Sequence, residues 1–307
     1  MIFYNREEIM VAQKRPIGNF LRDNYQDLKT LEKIVKKQYL KDPRQTLELI
    51  EQAEQICPIT FDIRVIKIKC LVRLQLLDQA LAEAYKNANT IYCPISFEQL
   101  AIIKYLRGQL DEAIEYAKMR LRFGMDSRGL SLFARILITQ GKLEAAQIMI
   151  HEAIACSSPK YIDENKLMLA DILRKQRKYR QAMKILDEIT NPELEINKLL
   201  VIAFCYIELK KFNSAIASLY QAEKALKSKD QSNGKYRKGI RVQTAFIFIF
   251  DKYIYLGRIV EPFLLQKIKT AAHWLMNMPL EKLGQFQKYD FNNAIKIIKE
   301  HNLAGNK

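Results

Sequence analysis

Few residues in this chain could do covalent or proton-transfer chemistry. His151, His273 and His301 are the only three histidines, the side chains whose ordinary pKa lies nearest neutrality. His151-Glu152 begins the His-Glu-x-x-His spacing that sets two imidazoles on one helix face around zinc. Ala155 stands where the second histidine belongs. Five cysteines (Cys57, Cys70, Cys93, Cys156 and Cys205) are odd in number and contain no Cys-x-x-Cys pair. They read as small buried residues of a reducing compartment, which makes the cytoplasm the expected location. No Gly-x-x-x-x-Gly-Lys-Ser/Thr or Gly-x-Gly-x-x-Gly loop is present to cradle phosphate, and no Gly-x-Ser-x-Gly elbow to present a nucleophile. The acidic residues fall on helix caps and faces without the spacing of a calcium loop. The expectation is a protein that is not an enzyme and takes no cofactor or metal.

The elements that position side chains are more legible. The chain has 307 residues, 49% hydrophobic and 27% charged, enough apolar material for a sizeable core. Glycine (10) and proline (8) are scarce, which disfavours a tight-turned sheet and leaves room for long helices. Apolar stretches such as Ala245 to Phe250 fall far short of the ~20 residues of a membrane span. Residues Met1 to Glu8 carry charges of both signs and lack the apolar core of a secretory signal. A formal charge of +16 favours acidic partners such as nucleic acid, acidic protein segments or anionic membrane surfaces.

One segment recurs. Gly108-Gln-Leu-Asp-Glu-Ala113 and Gly141-Lys-Leu-Glu-Ala-Ala146 are its clearest copies, with weaker ones ending at Ala80, Ala182 and Ala215. These five alanines are spaced 33, 33, 36 and 33 apart, and a second alanine stands twelve residues before four of them, at Ala101, Ala134, Ala170 and Ala203. Small residues in that double register mark close approach of two helices. Phe133 and Leu137, Leu169 and Leu173, and Ile202 and Tyr206 fill the seam at helical spacing. Glycine ends the first helix of a pair, and an acidic or Asn cap at Asp78, Asp111 and Asn213 starts the second. A lone pair cannot bury its apolar face, so successive pairs must stack.

On these residues the chain resembles the tetratricopeptide repeat family, whose helix-turn-helix unit of about 34 residues carries small side chains at its eighth and twentieth positions. A degenerate copy with Thr46, Ala53 and Pro58 precedes the others, so the resemblance runs from Leu28 to Leu226. Most copies lack the family's aromatic at the start of the first helix. The resemblance implies an all-α, right-handed α-solenoid with an irregular helical cap. Its expected organisation is an N-terminal extension over 1–26, about six repeats over 27–227, a loop over 228–235 and a helical region over 236–307. Within the last, Pro262 suits the first turn of a helix, and Phe291-Asn-Asn-Ala-Ile295 echoes Phe212-Asn-Ser-Ala-Ile216. Val242 to Leu256 could form a strand, but its neighbours favour helix.

The resemblance further implies a protein-interaction adaptor, chaperone or scaffold that holds a partner segment on a concave face lined by first helices. With Ala113 and its equivalents as twentieth residues, that face comprises Val65, Lys69, Val72, Ile102, Tyr105, Arg128, Ser131, Arg135, Ile138, Leu167, Asp171, Arg174, Asn197, Leu200, Phe204 and Ile207. Lys69, Ile102, Tyr105, Arg128, Arg135, Arg174 and Phe204 are the expected site, combining apolar anchors with cations suited to a segment bearing acidic and apolar side chains. The family's clamp for a C-terminal carboxylate is absent, because its positions carry Val65, Lys69, Glu98, Ser131 and Arg135. Arg107, Lys142, Arg177, Lys178, Lys210 and Lys211 occupy the turns, and Lys210 to Arg241, with Arg237 and Lys238, holds nine basic residues against Glu223 and Asp230. A nucleic-acid or other polyanion partner along these residues is the alternative reading, against a merely solvated edge. Self-association through the aromatic-rich Val242–Leu256 segment is a third.

Overall fold

A computed structural model of the chain describes residues 25–228, 234–278 and 285–304, with side chains over 28–226, 239–278 and 291–304. Among the described residues there are fifteen α-helices and one short 3-10 turn, and no strand. They form two compact units, one ending at Arg107 and the other beginning at Gly108. The expected N-terminal extension lies almost wholly outside the described residues.

The first unit contains α1 (Tyr25–Gln38), α2 (Pro43–Glu54), α3 (Phe61–Arg73), α4 (Leu77–Thr90) and α5 (Pro94–Leu106). Within it α2 packs on α3, α3 on α4 and α4 on α5, and α1 lies against α2 and α3. The second unit begins with α6 (Leu110–Leu121), α7 (Ser127–Thr139), α8 (Leu143–Ala155), α9 (Pro159–Lys175) and α10 (Tyr179–Asp187). It continues with α11 (Glu195–Glu208), α12 (Phe212–Ser228), α13 (Gly234–Tyr255), α14 (Pro262–Met276) and α15 (Gln285–Glu300). Sequential helices from α6 to α14 are in contact, and α9 also meets α11. This is the stacking of paired helices that an α-solenoid requires.

The alanine register is the reason. Ala80, Ala101, Ala113, Ala134, Ala146, Ala170, Ala182, Ala203 and Ala215 are all fully buried, as is Thr46 in the degenerate copy. Replacing one of these alanines by a larger side chain would overpack its crossing, at a cost of about 1–3 kcal/mol; the first copies carry Thr46 and Ile68 at equivalent places. Seven residues after the twentieth positions stand Ala53, Ala153 and Ala222, again fully buried, and the buried Ile189, but also Asn87 and Arg120, polar side chains buried at the same register. Asn87 Nδ2 donates to Gln99 Oε1 at 3.2 Å, and Gln99 Nε2 reaches the Val65 carbonyl at 3.3 Å. Arg120 pairs with Asp126 and donates to the Gly124 carbonyl.

The turns within successive pairs share one geometry. Gln75, Gly108, Gly141, Arg177 and Lys210 all have positive φ, between 59° and 77°. They recur with the spacing of the alanines. After four of them, the amides of Leu76, Lys142, Lys178 and Lys211 donate to the carbonyls of Leu71, Leu137, Leu173 and Tyr206 at 2.8–2.9 Å, closing the helix end in the six-to-one bond of a Schellman motif. The expected acidic caps are different. Helices α4 and α6 start after Leu76 and Gln109 without a side-chain cap, and Asp78 and Asp111 sit inside the first turn. There the helix dipole still favours them. Their carboxylates accept from the next pair instead, Asp78 from Arg107 and Asp111 from Gln140 at 2.9 Å.

The Val242–Leu256 segment is helical. Ala245, Phe246, Ile247 and Ile249 of α13 are all fully buried, because α11, α12, α14 and α15 pack around the helix. Pro262 opens α14 after Gly257 turns the chain at φ 63°. Phe291 and Ala294 of α15 join the same core. Helix α12 runs to Ser228 and α13 begins at Gly234, so the expected loop has helical ends.

Candidate partner-binding surfaces

In the second unit, first helices α7, α9 and α11 carry the expected site residues. Arg174 and Phe204 are brought together: the guanidinium lies over the ring with its carbon 5.3 Å from the centroid. Arg174 Nε and Nη2 also donate to Asp171 Oδ1 at 2.9 and 2.8 Å. The pairing has a physical cause. Both side chains are partly buried, and a desolvated cation needs a carboxylate within reach. The result is a planar cation fixed in place, half neutralised, with an aromatic face beside it. Arg128 and Arg135 are exposed on α7, seven residues apart and so on one helix face.

Other expected positions are occupied by packing. Leu200, Ile207 and, in the first unit, Val65 are buried in the core. Ser131 donates to Asn165 Oδ1 at 2.6 Å, while Asn165 Nδ2 donates to Ser127 and Ser157 at 2.9 and 2.7 Å, a network tying α7 and the end of α8 to α9. Asn197 accepts from Arg241 at 3.2 Å.

In the first unit, Ile102 and Tyr105 are half-buried on α5. Lys69 and Arg73, one turn apart on α3, lie over the Tyr39 ring at 5.7 and 5.6 Å. Sequence reasoning identified Lys69 but missed Tyr39 and Arg73; the i, i+4 spacing of Lys69 and Arg73 is visible in the sequence, whereas Tyr39, 30 residues earlier, is brought beside them only by the fold.

The turn cations do not share one register. Arg107 ends α5 and is ion-paired with Asp78. Arg177 and Lys210 are the positive-φ residues, equivalent to Gly141, and Lys142, Lys178 and Lys211 follow at the next position. The side chains of Lys142, Arg177, Lys178, Lys210 and Lys211 are exposed and make no ion pair or hydrogen bond among the described residues. Those of Arg237 and Lys238 lie outside the described residues.

Self-association through Val242–Leu256 is corrected by burial, since most of that helix supplies the core. Its most exposed part is its end, Ile254 and Tyr255, continued by Ile259 and Phe263 in and after the following turn. Among the described residues, no cluster of three or more His, Cys, Asp or Glu could hold a metal ion. No described helix is long and apolar enough to cross a membrane. Burial pushes the Cys205 thiol up to about 11, with Arg174 opposing the shift, and burial likewise pushes the Cys70 thiol up to about 11 against Arg73.

Residues 146–222 match the family model described as anaphase-promoting complex, cyclosome, subunit 3. A search of curated protein sequences returns no match. Among solved structures, a tetratricopeptide repeat protein from Parabacteroides merdae superposes with a TM-score of 0.62 at 12% identity, covering 89% of this chain and 99% of that one. The human IFIT1 dimer with PPP-AAAA gives 0.58 at 13% identity, covering 98% of this chain and 67% of that one. A Rap protein complexed with competence and sporulation factor gives 0.56 at 11%, covering 97% and 91%. At these identities the likeness is one of fold.

Proposed function

We propose that this chain, which has the fold of the tetratricopeptide repeat proteins, is a protein-interaction scaffold that holds a partner segment on the first-helix face of its second unit. The observation that carries this reading is the stack of Arg174 on Phe204, with Arg174 oriented by Asp171. An ordered cation beside an aromatic face offers a carboxylate and an apolar side chain adjacent seats. Because Arg174 is already fixed, less ordering entropy is lost on association. Exposed Arg128 and Arg135 extend the cationic character along α7. The partner segment is therefore acidic and apolar in alternation. The Rap protein of the same fold was solved holding competence and sporulation factor, which supports partner binding as a use of such a fold.

The test compares capture of proteins from a native, nuclease-treated lysate by the parent chain and by Arg128→Glu/Arg135→Glu/Phe204→Ala. The expected result is a discrete protein retained by the parent and reduced at least tenfold by the variant, since truncating an aromatic anchor alone costs about 1–2 kcal/mol or more. Equal retention by a variant of unchanged helicity removes this face from consideration.

A further inference from the structure

The basic turns of the second unit are not explained by the first-helix face. At the within-pair turn the backbone must enter the left-handed region, and Gly108 and Gly141 do so with φ of 77°. At the next two turns the same conformation is imposed on Arg177 and Lys210, at φ 63° and 59°. An L-residue is strained there and glycine is not. A cation at a helix C-terminus gains about 0.3–1 kcal/mol from the dipole, less than the roughly 1–2 kcal/mol of left-handed backbone, and the remaining strain points to use of the side chain. Gln75, the non-glycine at the equivalent turn of the first unit, has a local use: its Nε2 reaches the Val72 carbonyl at 3.5 Å, at the end of its own helix. Arg177 and Lys210 make no such bond among the described residues.

Each strained cation is followed by a second, Lys178 and Lys211, so two successive turns present basic pairs, with Lys142 at the turn before them. All five are exposed and none is ion-paired among the described residues. Exposed large apolar surface at these two turns is confined to Leu209. A protein partner needs a buried apolar or aromatic anchor. A strand of phosphates needs only cations, because its affinity comes from released counter-ions. Helices α9 and α11 pack directly, so the turns at their C-terminal ends are neighbours, close enough for one strand to reach both.

We propose that Arg177, Lys178, Lys210 and Lys211 form a docking edge for the phosphate backbone of a nucleic-acid strand, bound without regard to base sequence. It is separate from the first-helix face, and neither depends on the other.

The strain makes a clean test available. Arg177→Gly/Lys210→Gly removes two charges while relieving the backbone, so the double variant melts at or above the parent temperature and loss of binding cannot be ascribed to unfolding. The full chain is titrated with fluorescently labelled oligouridylate over a range of salt, with poly-glutamate as the second probe. Each lost contact to a single strand lowers the slope of log K against log salt by about 0.7, equivalent to about fivefold in affinity near 0.1 M salt. The double variant is therefore expected to bind about 25-fold more weakly, with a slope reduced by about 1.4. Failure of the parent to bind oligouridylate, or unchanged affinity and slope in the variant, overturns the proposal. Equal affinity for poly-glutamate with the same losses also overturns it, in favour of an acidic protein segment.

Discussion

The five equivalent turns allow the cost of one backbone conformation to be measured in place. Two reciprocal substitutions, Gln75→Gly and Gly141→Ala, lie in different units. At Gly141 an added Cβ meets no atom within 4 Å, so Gly141→Ala changes φ strain and nothing else of consequence. Left-handed backbone costs an L-residue about 1–2 kcal/mol. Glycine gives back about 0.5–1 kcal/mol of that through the entropy it loses on folding. The net expectation is a loss of about 0.5–1 kcal/mol for Gly141→Ala. Gln75→Gly relieves φ 62° and gives up only the long side-chain bond to the Val72 carbonyl at 3.5 Å, a gain of about 0.5 kcal/mol. Urea unfolding followed by far-ultraviolet circular dichroism reads both. With slopes of about 2–3 kcal/mol per molar for domains of this size, the midpoints move by about 0.2–0.4 M, down for Gly141→Ala and up for Gln75→Gly. Shifts of one sign in both variants, or no shift for Gly141→Ala, would refute the strain assigned to these turns.

Two further outcomes follow from buried polar groups. Asp126→Ala removes the acceptor of the Gly129 amide (2.8 Å) and the carboxylate paired with the buried Arg120 guanidinium, a loss of about 2–4 kcal/mol. Burial acts to raise the Asp126 pKa, but the Gly129 amide and Arg120 hold it below the ordinary value. Its contribution is therefore complete above the unfolded value near 4 and lost as pH falls through the lower folded value, so parent and variant should converge in urea midpoint below about pH 4. Among the cysteines, exposed Cys156 should react with a disulfide reagent in the native protein at about pH 8. Cys70 and Cys205, buried with thiols near 11, should react only after urea unfolding; fast native labelling of either, located by mass spectrometry, would contradict that burial.

The repeat was legible because the feature that sets it is steric. Ala101 and Ala113, like most of their equivalents, stand where two helices cross closely and small residues are favoured; that preference prints a period into the sequence, with Thr46 and Ile68 as its exceptions in the first copies. Asp78 and Asp111 carried a weaker signal. An acidic residue at the start of a helix caps it or merely favours its dipole, and only the three-dimensional stack shows a partner 29 residues on, Arg107 and Gln140. Asn87 and Arg120 were overlooked because the register was read for what it shared. Polar residues at a position occupied by buried alanine elsewhere must find hydrogen bonds, as both do with Gln99 and Asp126. Leu200, Ile207 and Val65 belonged by count to the binding face. They are core because neighbouring pairs close over them, a distance that periodicity along one chain does not contain.

Burial also explains where charge can be left unpaired. On the first-helix face Arg174 is half-buried, and it is held by Asp171 and Phe204; a cation there without a carboxylate would pay for its desolvation. At the turns, Lys142, Lys178 and Lys211 are exposed, so water satisfies them and their accumulation leaves stability untouched. Solvation therefore accounts for three of the five turn cations without any ligand. It does not account for Arg177 and Lys210, whose cost lies in the backbone and is the same whether or not the side chain is hydrated. A solvated edge would be equally soluble with glycine at both positions and the turns would be less strained. Under the proposal made above, that strain distinguishes charge that is tolerated from charge that is used, and the use would fall at the two turns between α9 and α10 and between α11 and α12.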